Sequence, residues 1–196
     1  MSDVMEHSVV RLNERVATSF FGKYRGVVTN IDDPNNQCRI KARLEDPLQG
    51  QETGWALPVA PFAGDGHGMV MLPKVGSGVW IEFEAGQLQN PIWSGGWWAS
   101  GQRPDPQGEQ VRVIVSEHGH KLILDDAQDE LRLVHGSSTE ASPLEIKLTG
   151  SDIVLSCGLC EIKISADNIS LNNGQIKIGL AGISLVNGAM SFGVPP

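Results

Sequence analysis

From Ile146 the sequence runs IKLTGSD (146–152), IVLSCGLCE (153–161), IKISADN (162–168), ISLNNGQ (169–175), IKIGLAG (176–182), ISLVNGA (183–189) and MSFGVPP (190–196). Each segment opens on an apolar residue and places a second one two positions later: Ile146/Leu148, Ile153/Leu155, Ile162/Ile164, Ile169/Leu171, Ile176/Ile178, Ile183/Leu185 and Met190/Phe192. Residues two apart share one face of a β-strand. The openers fall seven apart, except that the segment holding Cys157 and Cys160 is two residues longer. Between the apolar pairs lie turn formers, among them Thr149, Gly150, Asn172, Asn173, Gly174, Asn187 and Gly188. A coiled coil also repeats in sevens, but it needs apolar positions three and four apart. Here the spacing is two and five, so the segment is a ladder of short strands. A strand with a single apolar stripe cannot bury it alone. Stability requires stacking, either as a solenoid or as several identical chains wrapped into a β-prism or β-helix shaft.

Working outward, the composition narrows the function. The chain of 196 residues has room for a small domain plus an extended element. Its net charge of −8 disfavours a nucleic-acid partner. From Ile146 onward Lys147, Lys163 and Lys177 balance Asp152, Glu161 and Asp167, so the ladder is formally neutral. All five Trp (Trp55, Trp80, Trp93, Trp97, Trp98) precede residue 100. No apolar run is long enough to span a membrane, and MSDVMEHSVVRLNER (1–15) lacks a signal-peptide core, so synthesis in the cytoplasm is expected. Three Cys (Cys38, Cys157, Cys160) make no disulfide framework.

Residues 1–19 have a weak helical spacing at Val9, Val10, Leu12 and Val16, which suits a short helix or a flexible arm. From Phe20 the pattern changes to strands: FFGKYRGVVTNIDD (20–33), QCRIKARLED (37–46), GWALPVAPFA (54–63), VWIEFEAG (79–86) and NPIWSGGWWA (90–99). Five short strands with Gly/Pro-rich connectors suit a closed barrel of the OB type over 20–100. Between the third and fourth strands, GDGHGMVMLPKVGSG (64–78) is expected to be a loop. GQRPDPQGEQ (101–110) is a linker, and 111–196 is the shaft, whose apolar pairing already shows at Leu122/Leu124 and Leu131/Leu133.

These residues carry a resemblance. LPKVGSGVWIEFEAG (72–86), NPIWSGG (90–96) and GHKLILDD (119–126), in that order, resemble the phage baseplate assembly protein V and VgrG-like spike family of contractile injection systems. The resemblance implies an all-β fold, an N-terminal OB barrel followed by an intertwined trimeric β-helix. It implies a homotrimer whose barrels sit under a hub protein and whose needle pierces the target envelope when the sheath contracts, touching the target membrane transiently. It implies assembly into a phage tail or a phage-tail-like particle. Two departures stand out: ten linker residues occupy the place where some relatives carry a muramidase domain, and only about twenty residues precede the barrel, so a separate hub polypeptide is expected. Some phage spikes hold iron with a His-x-His pair near the tip. This chain ends without histidine, which points instead to a separate PAAR-type cap docking near Met190, Phe192 and Val194.

Sites of chemistry are scarce. His118-Gly119-His120 would set two imidazoles on one strand face, yet no Cys or carboxylate is spaced to complete a metal site, and turn histidines are the simpler reading. Cys157-Gly-Leu-Cys160 has the spacing of a zinc or redox pair but lacks two further ligands. Cys157 shares the parity of Ile153 and Leu155 and should pack inward, while Cys160 falls in an extended turn; an inter-chain disulfide or a metal is the alternative. Gly64-Asp-Gly-His-Gly68 lacks the ending of a phosphate loop. His67 and Asp65 have no partnered nucleophile, so neither catalysis nor a cofactor is expected. Trp93, Trp97 and Trp98 could stack bases or sugars, but the domain offers no basic groove, and filling the barrel end or a subunit contact suits them better.

The expected core of the trimer is therefore Ile146, Leu148, Ile153, Leu155, Ile162, Ile164, Ile169, Leu171, Ile176, Ile178, Ile183 and Leu185. The competing reading is a monomeric β-solenoid with an OB module for glycan or nucleic acid, three segments of seven making one coil.

Overall fold

The computed structural model describes residues 7–10, 13, 16, 18–172, 174–180, 182–185 and 190–193, of which 191–193 are described as backbone. Two compact units divide the chain, Met1–Gln102 and Arg103–Pro196. The described residues between 7 and 18 have helical backbone.

The first unit contains β1 (Tyr24–Asn30), β2 (Lys41–Leu44), β3 (Gln51–Glu52), β4 (Leu57–Pro58), β5 (Ala63–Gly64), β6 (His67–Gly68), β7 (Gly78–Phe83) and β8 (Pro91–Trp97). Six of these form one sheet in the order β3-β2-β1-β7-β8-β4. Its two margins are the two ends of a single stretch, residues 51–58. β3 pairs antiparallel with β2, β4 pairs in parallel with β8, and an Ile40–Ala56 bridge lies between them. The sheet thus closes on itself as an OB-like barrel. The third strand, expected at 54–63, is split and lies earlier, because its backbone must turn from β2 to β8 to close the sheet.

Alternation fills the barrel. β7 turns Val79, Ile81 and Phe83 inward, β2 turns Ala42 and Leu44 inward, and Val28, Ile40, Ala56 and Trp93 complete the core. On β1 the inward position beside Val28 is Gly26, where a Cβ would lie 3.3 Å from each of Ala42 Cβ, Ile81 Cγ1 and Leu44 Cδ1. The absence of a side chain there lets three neighbours fill the centre. The stretch 64–78 is not wholly irregular: Ala63–Gly64 and His67–Gly68 pair as a hairpin, and beyond it Val70 and Met71 are exposed.

The second unit is a single sheet of ten strands: β9 (Val111–Val115), β10 (Lys121–Asp125), β11 (Glu130–Val134), β12 (Leu144–Leu148), β13 (Ile153–Cys157), β14 (Cys160–Ile164), β15 (Asn168–Leu171), β16 (Ile176–Gly179), β17 (Gly182–Leu185) and β18 (Met190–Gly193). Sheet order follows chain order, and each strand pairs antiparallel with the one before it. Each seven-residue segment is one strand and one turn, and a tight turn sends the chain back beside itself. Within one chain the ladder closes on itself, since hairpin neighbours close with little loop entropy. The parallel pairing of segments that a solenoid coil requires is absent from the described residues.

Candidate assembly face

Register decides what the sheet can do. Directly opposed residues of an antiparallel pair point to the same face. One row across the sheet reads Leu124, Leu131, Leu148, Ile153, Ile164, Ile169, Ile178 and Ile183. The next reads Ile114, Leu122, Leu133, Ile146, Leu155, Ile162, Leu171, Ile176, Leu185 and Met190. All twelve residues expected in the shaft core fall in these two rows. Among the described residues nothing covers them: Ile146, Ile153, Ile162, Ile169, Ile178 and Ile183 are 39–46% exposed, and only Leu171 and Leu185 of the twelve are half-buried. Of the residues expected at the tip, Met190 is exposed, Phe192 is described as backbone in β18, and Val194 lies outside the described residues.

The opposite face is polar, yet it is the better covered. Arg132 pairs with Glu145, Lys147 Nζ lies 3.2 Å from Glu130 Oε1, and Lys163 Nζ lies 3.0 Å from Asp152 Oδ2. The aliphatic stems of these long side chains lie along the sheet, and beneath them Ile123 is 4% exposed and Ser170 7%. Asp152 ties two turns together, accepting from Ser151 Oγ at 2.9 Å and from Ser165 Oγ at 2.6 Å. The Ser165 hydroxyl first, then Lys163 and Ser151, hold its carboxyl down at about 2. A sheet that shields its charged face and leaves its isoleucines in water is complete only when something apolar lies against it.

The residues singled out for chemistry are arranged differently from expectation. Glu117 and His118 form the turn between β9 and β10, so His118 and His120 are not a strand-face pair. The ring beside His120 is His135, with centroids 4.5 Å apart. Gly136 donates its N–H to His120 Nδ1 at 3.1 Å, and Ser137 donates its N–H to His135 Nδ1 at 3.2 Å. Cys160 is the first residue of β14 and not part of a turn, and it directly opposes Cys157. Both thiols are free and exposed, so Cys157 does not pack inward within one chain. The nine-residue segment spends its two additional residues on longer strands, five residues each, around a two-residue turn. Among the described residues no three His, Cys, Asp or Glu side chains cluster as a metal site would require.

In the barrel the tryptophans divide by role. Trp93 is core and donates its Nε1–H to the Cys38 carbonyl at 3.2 Å. Trp97 lies over Gly78 and donates to the Val79 carbonyl at 3.2 Å. Trp98 is 67% exposed. Sequence reasoning missed Arg25, whose guanidinium sits 5.4 Å from the rings of both Trp80 and Trp97 on the outer surface. The signal was present in the alternation of β1 and β7, which puts Arg25 opposite Trp80.

With this geometry in view, the barrel can be compared with known families. Residues 24–98 match the family model of the type VI secretion system/phage-baseplate injector OB domain. The match runs from the first residue of β1 to just past the end of β8, so it covers the closed barrel and stops before the ladder. It supports a structural role associated with a baseplate or spike. No curated protein matches the chain. No helix among the described residues is long and apolar enough to cross a membrane.

Proposed function

We propose that this protein is the central spike of a contractile injection particle, a phage tail or a phage-tail-like assembly. Three copies lay the apolar faces of β9–β18 against one another as a prism. The barrels meet a separate hub protein, a PAAR-type protein caps the C-terminal end, and sheath contraction drives the needle through the target envelope. The role is mechanical and uses no cofactor. The observation that carries this reading is the two-row apolar face, which runs unbroken from β10 to β17 and is left about two-fifths exposed in a single chain. Covering it completely stabilises by about 1 kcal/mol per side chain, the remaining share of the 1.5–3 kcal/mol for burying one fully. Two further copies present the same face and the same spacing, which makes the chain its own best partner. The injector-type barrel supports the baseplate end of the assignment. Because the backbone ladder is already satisfied within each chain, side-chain packing is left to hold the three together.

The test is absolute mass by light scattering on a sizing column. About three times the 21.1 kDa of one chain is the expected result. A single-chain mass at micromolar concentration overturns the reading.

A further inference from the structure

Cys157 and Cys160 support an inference about one chain that holds whether or not three assemble. They face each other at the end of the β13–β14 hairpin, joined only by Gly158 and Leu159. Gly158 has φ 60°, a conformation open to glycine and strained for other residues, and it makes so short a connection possible. Directly opposed residues in an antiparallel pair have Cα atoms roughly 4.5–5.5 Å apart, inside the span of about 4.4–6.8 Å that a disulfide bridges. Parity puts both side chains on the apolar face, with Ile153 and Leu155 on one strand and Ile162 and Ile164 on the other. Both are exposed at the rim of that face, beside a Leu159 that is 91% exposed.

A metal is a poorer match for these thiols. The imidazoles of His120 and His135 look towards the same hollow, but the Nδ1 of each accepts a backbone N–H. A neutral ring then carries its proton on Nε2 and has no lone pair left to give. The strand bearing Leu144 also separates His135 from Cys157, which places the two pairs roughly 10 Å apart at about 4.8 Å per strand. Two thiolates alone are half of a tetrahedral zinc site.

We propose that Cys157 and Cys160 form a redox staple, closing to an intrachain cross-strand disulfide by exchange with a small-molecule disulfide such as oxidised glutathione. The thiolate of one cysteine attacks a glutathione sulfur and releases one glutathione. The second thiolate then attacks the protein sulfur of the mixed disulfide and releases the other. Two protein thiols are oxidised, one glutathione disulfide is reduced to two glutathiones, and the two thiol protons pass to the departing thiolates. The staple sits where the ladder breaks its period. A sheet built of similar rungs specifies its register weakly, since a two-residue slip again sets apolar against apolar. A covalent tie between β13 and β14 forbids that slip at the irregular rung.

The experiment uses the full chain, reduced and then incubated with oxidised glutathione at mildly alkaline pH, quenched in acid and digested with trypsin. Cleavage after Lys147 and Lys163 leaves both cysteines in one peptide, Leu148–Lys163. That peptide is expected to lose two hydrogens and carry no glutathione, while the Cys160→Ser variant keeps one glutathione on Cys157. Glutathione retained on both thiols of the wild type, chains cross-linked through these cysteines on a non-reducing gel, or thiols still free would each overturn the proposal.

Discussion

Gly78 shows how much a single missing side chain can settle. It opposes Trp97 across β7 and β8, and a Cβ there would lie 2.6 Å from the indole Cε2. The ring covers the glycine and in turn bounds the guanidinium of Arg25. Gly78→Ala should therefore cost about 1–3 kcal/mol, the usual range for overpacking, read as a lower urea midpoint for the barrel with an unchanged slope. Asp152 gives a prediction with a pH signature. Its folded carboxyl is held at about 2, below the ordinary 3.8, by Ser165, Lys163 and Ser151. A depressed carboxyl stabilises the fold above the unfolded value, and that contribution disappears as pH falls through the folded one. Asp152→Asn should thus lower the thermal midpoint at neutral pH, and the gap from wild type should close between about pH 4 and pH 2. A gap that is constant with pH would mean the carboxylate is not what ties the turns together. Neither residue was legible beforehand: a glycine in a strand and an aspartate in a turn are ordinary until the cross-strand partner is known.

At the scale of the element, the strands of the ladder could be read from spacing alone, because a period of two inside a period of seven leaves one way to arrange apolar residues. What those strands pair with could not. Hydrogen bonds to the previous strand and to another chain look the same in sequence, and the ladder closes inside the chain because turns such as Thr149–Asp152 reverse it directly. The consequence of register is testable. Ile176 lies in the second apolar row, and Lys177, its neighbour, lies on the polar face opposite Ser170 and Ser184. Ile176→Asp should abolish a soluble trimer by bringing three carboxylates into its core, while Lys177→Gln should leave the mass unchanged. Equal behaviour of the two variants in light scattering would remove the apolar face from the assembly.

For the whole molecule, the two units should respond differently to dilution. The barrel has its own buried core of Val28, Ile40, Leu44, Val79, Ile81 and Trp93, whereas among the described residues of the ladder the only strongly buried apolar side chain is Ile123, on the polar face. Unfolding of the ladder should therefore depend on protein concentration, as it does when partner copies complete a core, and unfolding of the barrel should not. Trp fluorescence follows the barrel, since all five Trp lie there, and far-ultraviolet circular dichroism follows both units. A fragment of residues 20–102 should fold as a monomer and show the same fluorescence midpoint as the full chain. Coincident, concentration-independent transitions from both probes would show that the ladder is stable without partners.

By itself the sequence determined the strand character of barrel and ladder: barrel strands from alternation between glycine-rich connectors, a ladder from its repeat, and a bare apolar stripe on each rung. Those features are local, set by which side of a strand each residue takes, and local periodicity records them fully. Only the tertiary structure decided how the barrel closes through residues 51–58, that Cys157 meets Cys160 and His120 meets His135, and that the ladder pairs within one chain. Each of these is a contact between separate strands, fixed by turn geometry and register, and a pattern with a period of two reads the same in either register. The tertiary structure also showed the polar face to be the covered one, because long charged side chains can shield a sheet with their own stems, whereas isoleucine must wait for another surface.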